Sequence, residues 1–317
     1  MSHKKESAFR PPLPPELEKL LNDYQVHCRK NGLREGTIAQ YEKQCRWFLH
    51  NLASCGVNDV SQITASIVIT ACLSLKSKSY LEPAHTFLRY CADTGKTDRD
   101  YTYVIPPYKR PQLIPVVYTE YEVKQMESSI NRNTLVGKRD YTVILLATRL
   151  GLRLEDIRIL SFKNLDFEND TISIVQDKTY AQLELPMLPE LKSALNDYIK
   201  NGRPDVDGVL FRNCNPPFDK LSKSGIIACF RRAINKSEIK RGNRGLGPRS
   251  FRSSLASSMI NDGIPYAAVR KTLGHIDQNA IKHYAKLDIE QLRFYALPVP
   301  KATGAFAEFL SGSRRSM

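Results

Sequence analysis

Four prolines fall within ten residues of this chain, at Pro106, Pro107, Pro111 and Pro115. Proline fixes the backbone angle φ and donates no backbone hydrogen bond, so such a run favours an extended connection over a helix or a central strand. The chain has 317 residues, and about 150 is usual for one domain. We therefore predict a linker over residues 105–118 between two domains, which span residues 16–104 and 119–290.

The segment before the linker shows the apolar spacing of helices. Leucine and aromatic side chains recur there every three or four residues, which places them on one face of a helix. Helices are predicted over residues 16–30, 37–54, 64–77 and 80–94. This pattern, with no catalytic set of residues, indicates a small all-α domain. The proline-rich start that precedes it, residues 1–15, is predicted to be mobile.

The segment after the linker is mostly helical by the same criterion, with one exception. Residues 171–175 and 182–186 alternate apolar and polar side chains, which is the pattern of two strands joined as a hairpin. Helices are predicted at 119–131 and 138–150, after GLRLEDIRIL (151–160), and at 189–201, 222–235, 252–262, 265–273 and 278–286. The predicted fold class is mainly α, with a four-helix N-terminal domain and a mostly helical second domain that contains a small β-sheet.

Positive charge is the unusual feature of the composition. The 47 lysines and arginines outnumber the 33 aspartates and glutamates, for a net charge of +14. A polyanionic partner, either nucleic acid or an anionic membrane surface, would account for this excess. No apolar run approaches the roughly 20 residues that span a bilayer, and no segment combines a basic face with a broad apolar one. We therefore predict nucleic acid as the partner and no membrane association.

The charge excess is concentrated in residues 212–252, which we call the basic segment. It holds eleven lysines and arginines against Asp219 and Glu238, so it carries +9 of the net +14. Clustered charge of this kind favours contact with backbone phosphates and predicts salt-sensitive binding. For residues 236–244, a solvated surface explains the charge as well as phosphate contact does.

Cysteine usage indicates a reducing compartment and offers no metal site. The seven cysteines include no CxxC pair and no zinc-finger spacing with histidine, and their odd number argues against a disulfide framework. No apolar signal segment follows Met1, so we expect a cytoplasmic protein. No cluster of carboxylates suggests magnesium, and neither a metal nor another cofactor is predicted.

Five separated features in the second domain carry reactive side chains. They are Arg153 and Asp156 in GLRLED, Lys178 in the hairpin turn QDKTYA, Arg249 and Arg252 in GPRSFR, His275 in LGH, and Tyr284 nine residues later. Two or three guanidiniums can hold the non-bridging oxygens of one phosphodiester and stabilise its transition state. A lysine can protonate a leaving oxygen, a histidine can donate to a phosphoryl oxygen, and a tyrosine hydroxyl can act as a reversible covalent nucleophile.

The order and spacing of these residues resemble the tyrosine recombinases, also called phage-integrase-type site-specific recombinases, and the first domain resembles the core-binding domain of that family. The resemblance implies that Tyr284 attacks the scissile phosphate and forms a 3′-phosphotyrosyl link. It implies that Arg153 and Arg252 bind the phosphate. It further implies that Lys178 protonates the leaving 5′-oxygen and that His275 supports a phosphoryl oxygen.

One position departs from the family pattern. Arg249 stands where the family usually has the histidine of its HxxR motif, and an arginine, whose pKa exceeds about 12, cannot act as a base at neutral pH. We expect Arg249 to keep hydrogen-bonding and electrostatic functions only, while His275 or water accepts the tyrosine proton. Asp156 matches the acidic position that orients the site in the family.

The resemblance implies site-specific DNA recombination through a four-way junction, carried out by a homotetramer on two double-stranded DNA sites. Accessory DNA-bending proteins or co-recombinases are further expected partners. We expect an integrase or transposase of a mobile element, in a bacterial cytoplasm and on the nucleoid when DNA is bound.

Three other functions remain as alternatives. They are a chromosome-dimer resolvase, a type IB topoisomerase-like enzyme that relaxes DNA by rejoining the same strand, and a DNA-binding regulator with an inactive pocket. The tail, residues 291–317, has apolar faces of its own and is predicted to dock on a neighbouring subunit.

Overall fold

The computed structural model describes residues 10–108, 116–178, 180–274, 302–304 and 307. The chain divides into two compact units, and the boundary lies between Pro111 and Gln112, inside the proline-rich segment. Each unit has a hydrophobic core of its own.

The first unit contains four α-helices within the described residues: α1 (Pro15–Lys30), α2 (Glu35–Ser54), α3 (Ala65–Leu73) and α4 (Leu81–Asp93). Their inward faces form a core in which the rings of Tyr24 and Phe87 meet edge to face, with centroids 5.2 Å apart. The residues just before α1 also pack on this unit, since Pro11 is buried and Leu13 contacts the core.

Helix α3 is shorter than the predicted helix over residues 64–77. It ends at Leu73, and a separate 3-10 turn follows at Lys78–Tyr80. The side chain of Ser77 accepts a hydrogen bond from the backbone N–H of Ser79 at 3.3 Å. Such local bonds compete with the continuation of a helix, and apolar spacing alone does not reveal them.

The second unit is built around α6 (Leu135–Arg149), in which every residue from Arg139 to Thr148 is buried. The other described helices are α5 (Glu120–Ser128), α7 (Leu154–Ile159), α8 (Pro189–Asn201), α9 (Lys223–Lys236), α10 (Pro248–Asn261) and α11 (Tyr266–Leu273). Helix α6 packs against α8, α9 and α10, which explains why it has no polar face exposed over this stretch.

A small antiparallel sheet completes the second unit, with strands β1 (Leu165–Asp166), β2 (Thr171–Val175) and β3 (Gln182–Pro186) in that order. The β2–β3 hairpin has the predicted bounds. Strand β1 was not predicted, because two residues are too few to show an alternating pattern. The mainly helical fold with one small sheet confirms the predicted fold class.

Helix α10 begins at Pro248 and not at the predicted residue 252, so Arg249 and Arg252 lie on the same helix. Proline suits the first helical position because the N–H that it lacks would have no acceptor inside the helix. The predicted helix over residues 278–286 lies outside the described residues. In the part of the chain that the structure describes, no helix is long and apolar enough to cross a membrane.

Candidate active site

The turn that follows α6 brings Arg153 to the start of α7, where it is the N-cap residue. Gly151 in this turn has a φ of +61°, a backbone angle that costs glycine little. A Cβ atom at Gly151 would lie 2.6 Å from Cδ2 of Leu273. The turn therefore needs glycine both for its backbone angle and for its close approach to the end of α11.

Arg252 reaches the same place from α10, and the residue is only 5% exposed. Its Nη1 donates to the carbonyl oxygen of Gly151 at 2.8 Å, and its Nη2 donates to the carbonyl oxygen of Leu273. Neither carbonyl carries a formal charge, so the role of these two bonds is to orient the guanidinium. A charge in such surroundings acts strongly on an adjacent anion, because the local dielectric is below that of water.

Arg153 lies beside Arg252 and has two acceptors of its own. Its Nη1 donates to Oε1 of Gln176, and its Nη2 donates to the carbonyl oxygen of Gly274 at 3.3 Å. The two arginines thus bind the carbonyls of consecutive residues, Leu273 and Gly274. We call Arg153, Arg252 and Gln176 the arginine centre.

Asp156 ties α7 to the β2–β3 hairpin and is 1% exposed. Its Oδ1 accepts a hydrogen bond from the backbone N–H of Asp177 at 2.9 Å, while its Oδ2 has no hydrogen-bond partner among the described residues. Burial raises the pKa of this carboxyl, and the N–H of Asp177 and the guanidiniums of Arg153 and Arg252 act in the opposite direction. Asp156 therefore anchors the residue that precedes Lys178.

Lys178 is exposed in the turn between β2 and β3. The turn is closed by two bonds of 2.9 Å, from the N–H of Gln176 to the carbonyl of Ala181 and from the N–H of Tyr180 to the carbonyl of Gln176. Gln176 also belongs to the arginine centre, so the turn that carries Lys178 starts at that centre.

Of the remaining predicted site residues, Arg249 is described by the structure, whereas His275 and Tyr284 are not. Arg249 is exposed in the first turn of α10, whereas Arg252 is buried one turn later. His275 and Tyr284 lie outside the described residues, and His275 directly follows Gly274, the last residue of the described range 180–274. Within the described ranges, no group of three or more histidines, cysteines, aspartates or glutamates is placed to hold a metal ion.

Gln176 is the site residue that sequence reasoning missed, although the sequence contains a signal for it. Ile172 and Ile174 of β2 are buried, and Gln176 continues the same alternation with a residue that is 0% exposed. A polar side chain at an inward position of a strand requires hydrogen-bond partners inside the protein. That requirement marks Gln176 as a candidate even before its partners are known.

The basic segment is not uniformly available to a ligand. Three of its cations are paired with carboxylates: Arg232 with Asp140 at 2.6 Å, Arg244 with Glu122 at 2.6 Å, and Lys223 with Glu155 at 3.3 Å.

Other cations of the basic segment are exposed and, within the described part of the chain, have no carboxylate within 4.0 Å: Arg231, Lys236, Lys240, Arg241 and Arg249. Arg231 and Arg241 line one open surface cavity of about 380 Å³, together with one carboxylate residue, Glu238, and with Asn235, Ile234, Ile239 and Leu246. Its two guanidiniums outnumber the single carboxylate, so the cavity carries a net positive charge that is suited to an anionic ligand.

Known proteins with similar sequences and known structures with a similar fold point to the same family. Residues 117–291 match the model of the phage integrase family. The putative integrase/recombinase y4rA of Sinorhizobium fredii is 28% identical over 299 residues, which cover 90% of this chain and 72% of that protein.

Solved structures show the same fold at low sequence identity. The XerH site-specific recombinase bound to palindromic difH substrate, in a post-cleavage complex, has a TM-score of 0.68 and 18% identity, and the match covers 88% of this chain and 85% of that one. A lambda integrase tetramer bound to a Holliday junction has a TM-score of 0.61 and 15% identity, with coverage of 82% and 77%.

Proposed function

The chain belongs to the phage integrase family of tyrosine-type site-specific recombinases, and from this premise we propose that it cuts and rejoins DNA at a scissile phosphate bound by Arg153 and Arg252. The observation that carries the proposal is the arginine centre. Two guanidiniums from different helices bind the adjacent carbonyls of Leu273 and Gly274, and this fixes them side by side before any ligand arrives. Donors that are positioned in advance stabilise a developing charge without a cost of reorganisation during the reaction.

In the proposed cleavage step, the hydroxyl oxygen of Tyr284 attacks the phosphorus while the bond from phosphorus to the 5′-oxygen breaks. Lys178 gives a proton to that oxygen, which leaves as a 5′-hydroxyl, and the 3′-phosphate stays on the tyrosine. The tyrosine proton passes to His275 or to water, because Arg249 cannot accept a proton near neutral pH. The phosphotyrosine keeps the energy of the broken bond, so rejoining needs no nucleotide cofactor.

Rejoining reverses these steps with a 5′-hydroxyl from a partner strand as the attacking group. Two such exchanges form and then resolve a four-way junction, and four active sites on two DNA duplexes are needed for this. The lambda integrase tetramer on a Holliday junction supports a homotetramer here.

Asp156 is proposed to hold the Lys178 turn in place through its bond to the N–H of Asp177. Arg249, exposed one turn before Arg252, is proposed to contact a phosphoryl oxygen or the DNA backbone. The exposed cations around Arg231 and Arg241 are proposed to hold the duplex by its phosphates, with no part in the chemical step.

We further propose that the natural role is integration or transposition of a mobile element. Two observations support this choice over a chromosome-dimer resolvase: the RxxR motif at Arg249 and Arg252, which departs from the usual HxxR, and the similarity to a putative integrase/recombinase. Accessory DNA-bending proteins or co-recombinases are proposed as further partners.

The nucleophile is tested with nicked DNA duplexes, from which cleavage releases a short strand and traps the covalent intermediate. Binding sites are first selected from a randomised duplex pool with the purified protein. The wild type is expected to form a protein–DNA adduct that survives denaturing gels, and Tyr284→Phe is expected to form none.

Tyr295→Phe provides a matched control, because Tyr295 is the next tyrosine after Tyr284 in the sequence. That variant is expected to keep the adduct. An adduct with Tyr284→Phe would overturn the assignment of the nucleophile. No adduct with the wild type on any selected site would overturn the proposed function and favour a DNA-binding regulator.

A further inference from the structure

Gln176 occupies an unusual position for an uncharged polar side chain. It directly follows β2, on the buried face of the hairpin that Ile172 and Ile174 share, and it is 0% exposed. A buried amide costs free energy unless its oxygen and nitrogen both find partners. The partners of this amide are therefore informative about its role.

The amide of Gln176 links the anchors of both arginines. Its Oε1 accepts a hydrogen bond from Nη1 of Arg153, and its Nε2 donates to the carbonyl oxygen of Leu273 at 3.2 Å. The same Leu273 carbonyl accepts a hydrogen bond from Nη2 of Arg252. One side chain thus contacts one guanidinium directly and the other through a shared acceptor.

The neighbouring backbone is shaped to admit this amide. Gly274 has a φ of +62°, and a Cβ atom there would lie 2.7 Å from Oε1 and 2.9 Å from Nε2 of Gln176. Any larger residue at this position would displace the amide from its place between Arg153 and Leu273. The glycine and the glutamine are therefore matched to each other.

We propose that Gln176 is a positioning residue that fixes the spacing of the Arg153 and Arg252 guanidiniums around the scissile phosphate. This proposal rests on the proposed function. The two bonds of the amide require its oxygen to face Arg153 and its nitrogen to face Leu273. Glutamate keeps an acceptor for Arg153 but loses the donor, and methionine, which has a similar length, loses both.

The test compares single-turnover cleavage by the wild type and Gln176→Met on three nicked DNA substrates. The first has the natural phosphodiester, and the second has a methylphosphonate, which removes the charge of one non-bridging oxygen. The third has a sulfur in place of the 5′-bridging oxygen, so that the leaving group needs no proton. Cleavage of the second substrate depends less on the guanidiniums, and cleavage of the third depends less on Lys178.

On the phosphodiester, Gln176→Met is expected to cleave about 10- to 100-fold more slowly than the wild type, as expected when reacting groups are misplaced by a fraction of an ångström to an ångström. The loss should shrink to less than about threefold on the methylphosphonate, because less charge remains for the guanidiniums to stabilise. It should persist on the sulfur-bridged substrate, because the proton from Lys178 is not what the variant lacks.

Thr142→Val is the matched control for the loss of a buried hydrogen bond. Thr142 is 0% exposed in α6, and its hydroxyl lies 3.1 Å from the carbonyl oxygen of Ala194, away from the arginine centre. It is expected to cleave all three substrates at wild-type rates. Circular dichroism and thermal unfolding confirm that each variant is folded, and Gln176→Leu, which also removes both hydrogen bonds without adding a charge, replaces Gln176→Met if the methionine variant does not fold.

Three results would overturn the proposal. The first is a wild-type rate for the variant on the phosphodiester. The second is a loss that disappears on the sulfur-bridged substrate, which would mean that Gln176 acts through Lys178. The third is an equal loss on all three substrates. Failure of the wild type to cleave any substrate would remove the proposed function and this inference together. A cleaving wild type with any of the three results removes this inference alone.

Discussion

Arg252 and Arg231 both belong to the basic segment, yet they lie in different surroundings. Arg252 is 5% exposed and donates to two backbone carbonyls, whereas Arg231 is exposed at the wall of an open cavity. An exposed charge is screened by salt over about 10 Å, so it contributes to attraction and affinity. A buried and oriented charge acts at short range on one bound atom group, which is what a chemical step needs.

A third environment separates the structural cations from both of these. Arg232 and Arg244 are paired with Asp140 and Glu122 at 2.6 Å, and the ring of Tyr118 lies 4.3 Å from the guanidinium of Arg244. Their charge is compensated by carboxylates of the same chain, so these two arginines attract DNA less strongly than unpaired ones. The comparison shows that a count of cations predicts the kind of partner, while burial and pairing decide what each cation does.

The largest effect of this difference is predicted at Arg252. Arg252→Lys keeps the charge but cannot reach the carbonyls of Gly151 and Leu273 in a fixed fork, so cleavage should fall by about 10²- to 10³-fold. The affinity for DNA should change by less than about threefold, because most of the proposed phosphate contacts involve other residues. Single-turnover cleavage measures the rate and a binding titration measures the affinity. Equal losses of rate and affinity would contradict the separation between a buried arginine for chemistry and exposed arginines for binding.

The next effect concerns Gly274, whose missing Cβ makes room for Gln176. Gly274→Ala should slow cleavage by about tenfold or more. It should also lower the free energy of unfolding by more than about 1 kcal/mol, because alanine is strained at this φ and the displaced amide loses its partners. Gly263→Ala is the control, since Gly263 has a φ of +78° with nothing within 4 Å of its Cβ position. It should lose about 1 kcal/mol from the strained φ alone and should cleave at the normal rate. Equal cleavage by the two variants would show that the contact with Gln176 does not matter.

The role of the exposed arginines in DNA binding is tested at Arg231 and Arg241. The double variant Arg231→Ala/Arg241→Ala should bind DNA more weakly and should lower the slope of log K against log salt by about two, one per lost phosphate contact. Cleavage at saturating DNA should not change. Arg232→Ala, next in the sequence but paired with Asp140, should leave the slope unaltered. A smaller cleavage rate at saturating DNA in the double variant would argue against a purely binding role.

Arg249 lies between the two classes, since it is exposed but is one turn from Arg252 on α10. Arg249→His restores the residue usual in the family and should change the cleavage rate by less than tenfold, which corresponds to about 1.4 kcal/mol. A pH profile of single-turnover cleavage measures this. A larger loss would indicate that the arginine has a dedicated role in this enzyme.

The smallest effect is expected at the structural pair of Glu122 and Arg244. The hydrogen bond from Arg244 is the main cause that lowers the pKa of Glu122, so the ionised carboxylate favours the folded state. Above the unfolded pKa of about 4.3, Glu122→Gln should cost at most about 1 kcal/mol of unfolding free energy. That cost should vanish as the pH falls through the lowered pKa of the folded state. Denaturation at pH 7 and pH 3 measures it, and a cost that grows in acid would contradict the role of the Arg244 hydrogen bond.

Local patterns predicted much of the fold because neighbouring residues determine them. The strands of the β2–β3 hairpin and helix α8 (Pro189–Asn201) have the predicted bounds, since alternation, helical spacing and the proline at the start of α8 are all visible along the chain. The early end of α3 and the start of α10 at Pro248 were missed. These ends depend on single hydrogen bonds and caps, which carry little weight in a periodic pattern.

The candidate site divides in the same way. The motifs identified Arg153, Asp156 and Arg252 from residue type and spacing, and the structure brings these three together. They did not identify Gln176, because its partners, Arg153 and Leu273, lie far from it in the sequence. His275 and Tyr284 stay predictions, since both lie outside the described residues.

The sequence by itself determined the helical architecture, the DNA-directed charge and the set of side chains available for phosphate chemistry. These properties depend on composition and on residues a few positions apart. Only the tertiary structure decided which arginine is buried against carbonyls, which is paired with a carboxylate and which faces solvent. The reason is physical: the environment of a charge, and hence its strength and its task, is set by groups that the fold brings within a few ångströms from distant parts of the chain.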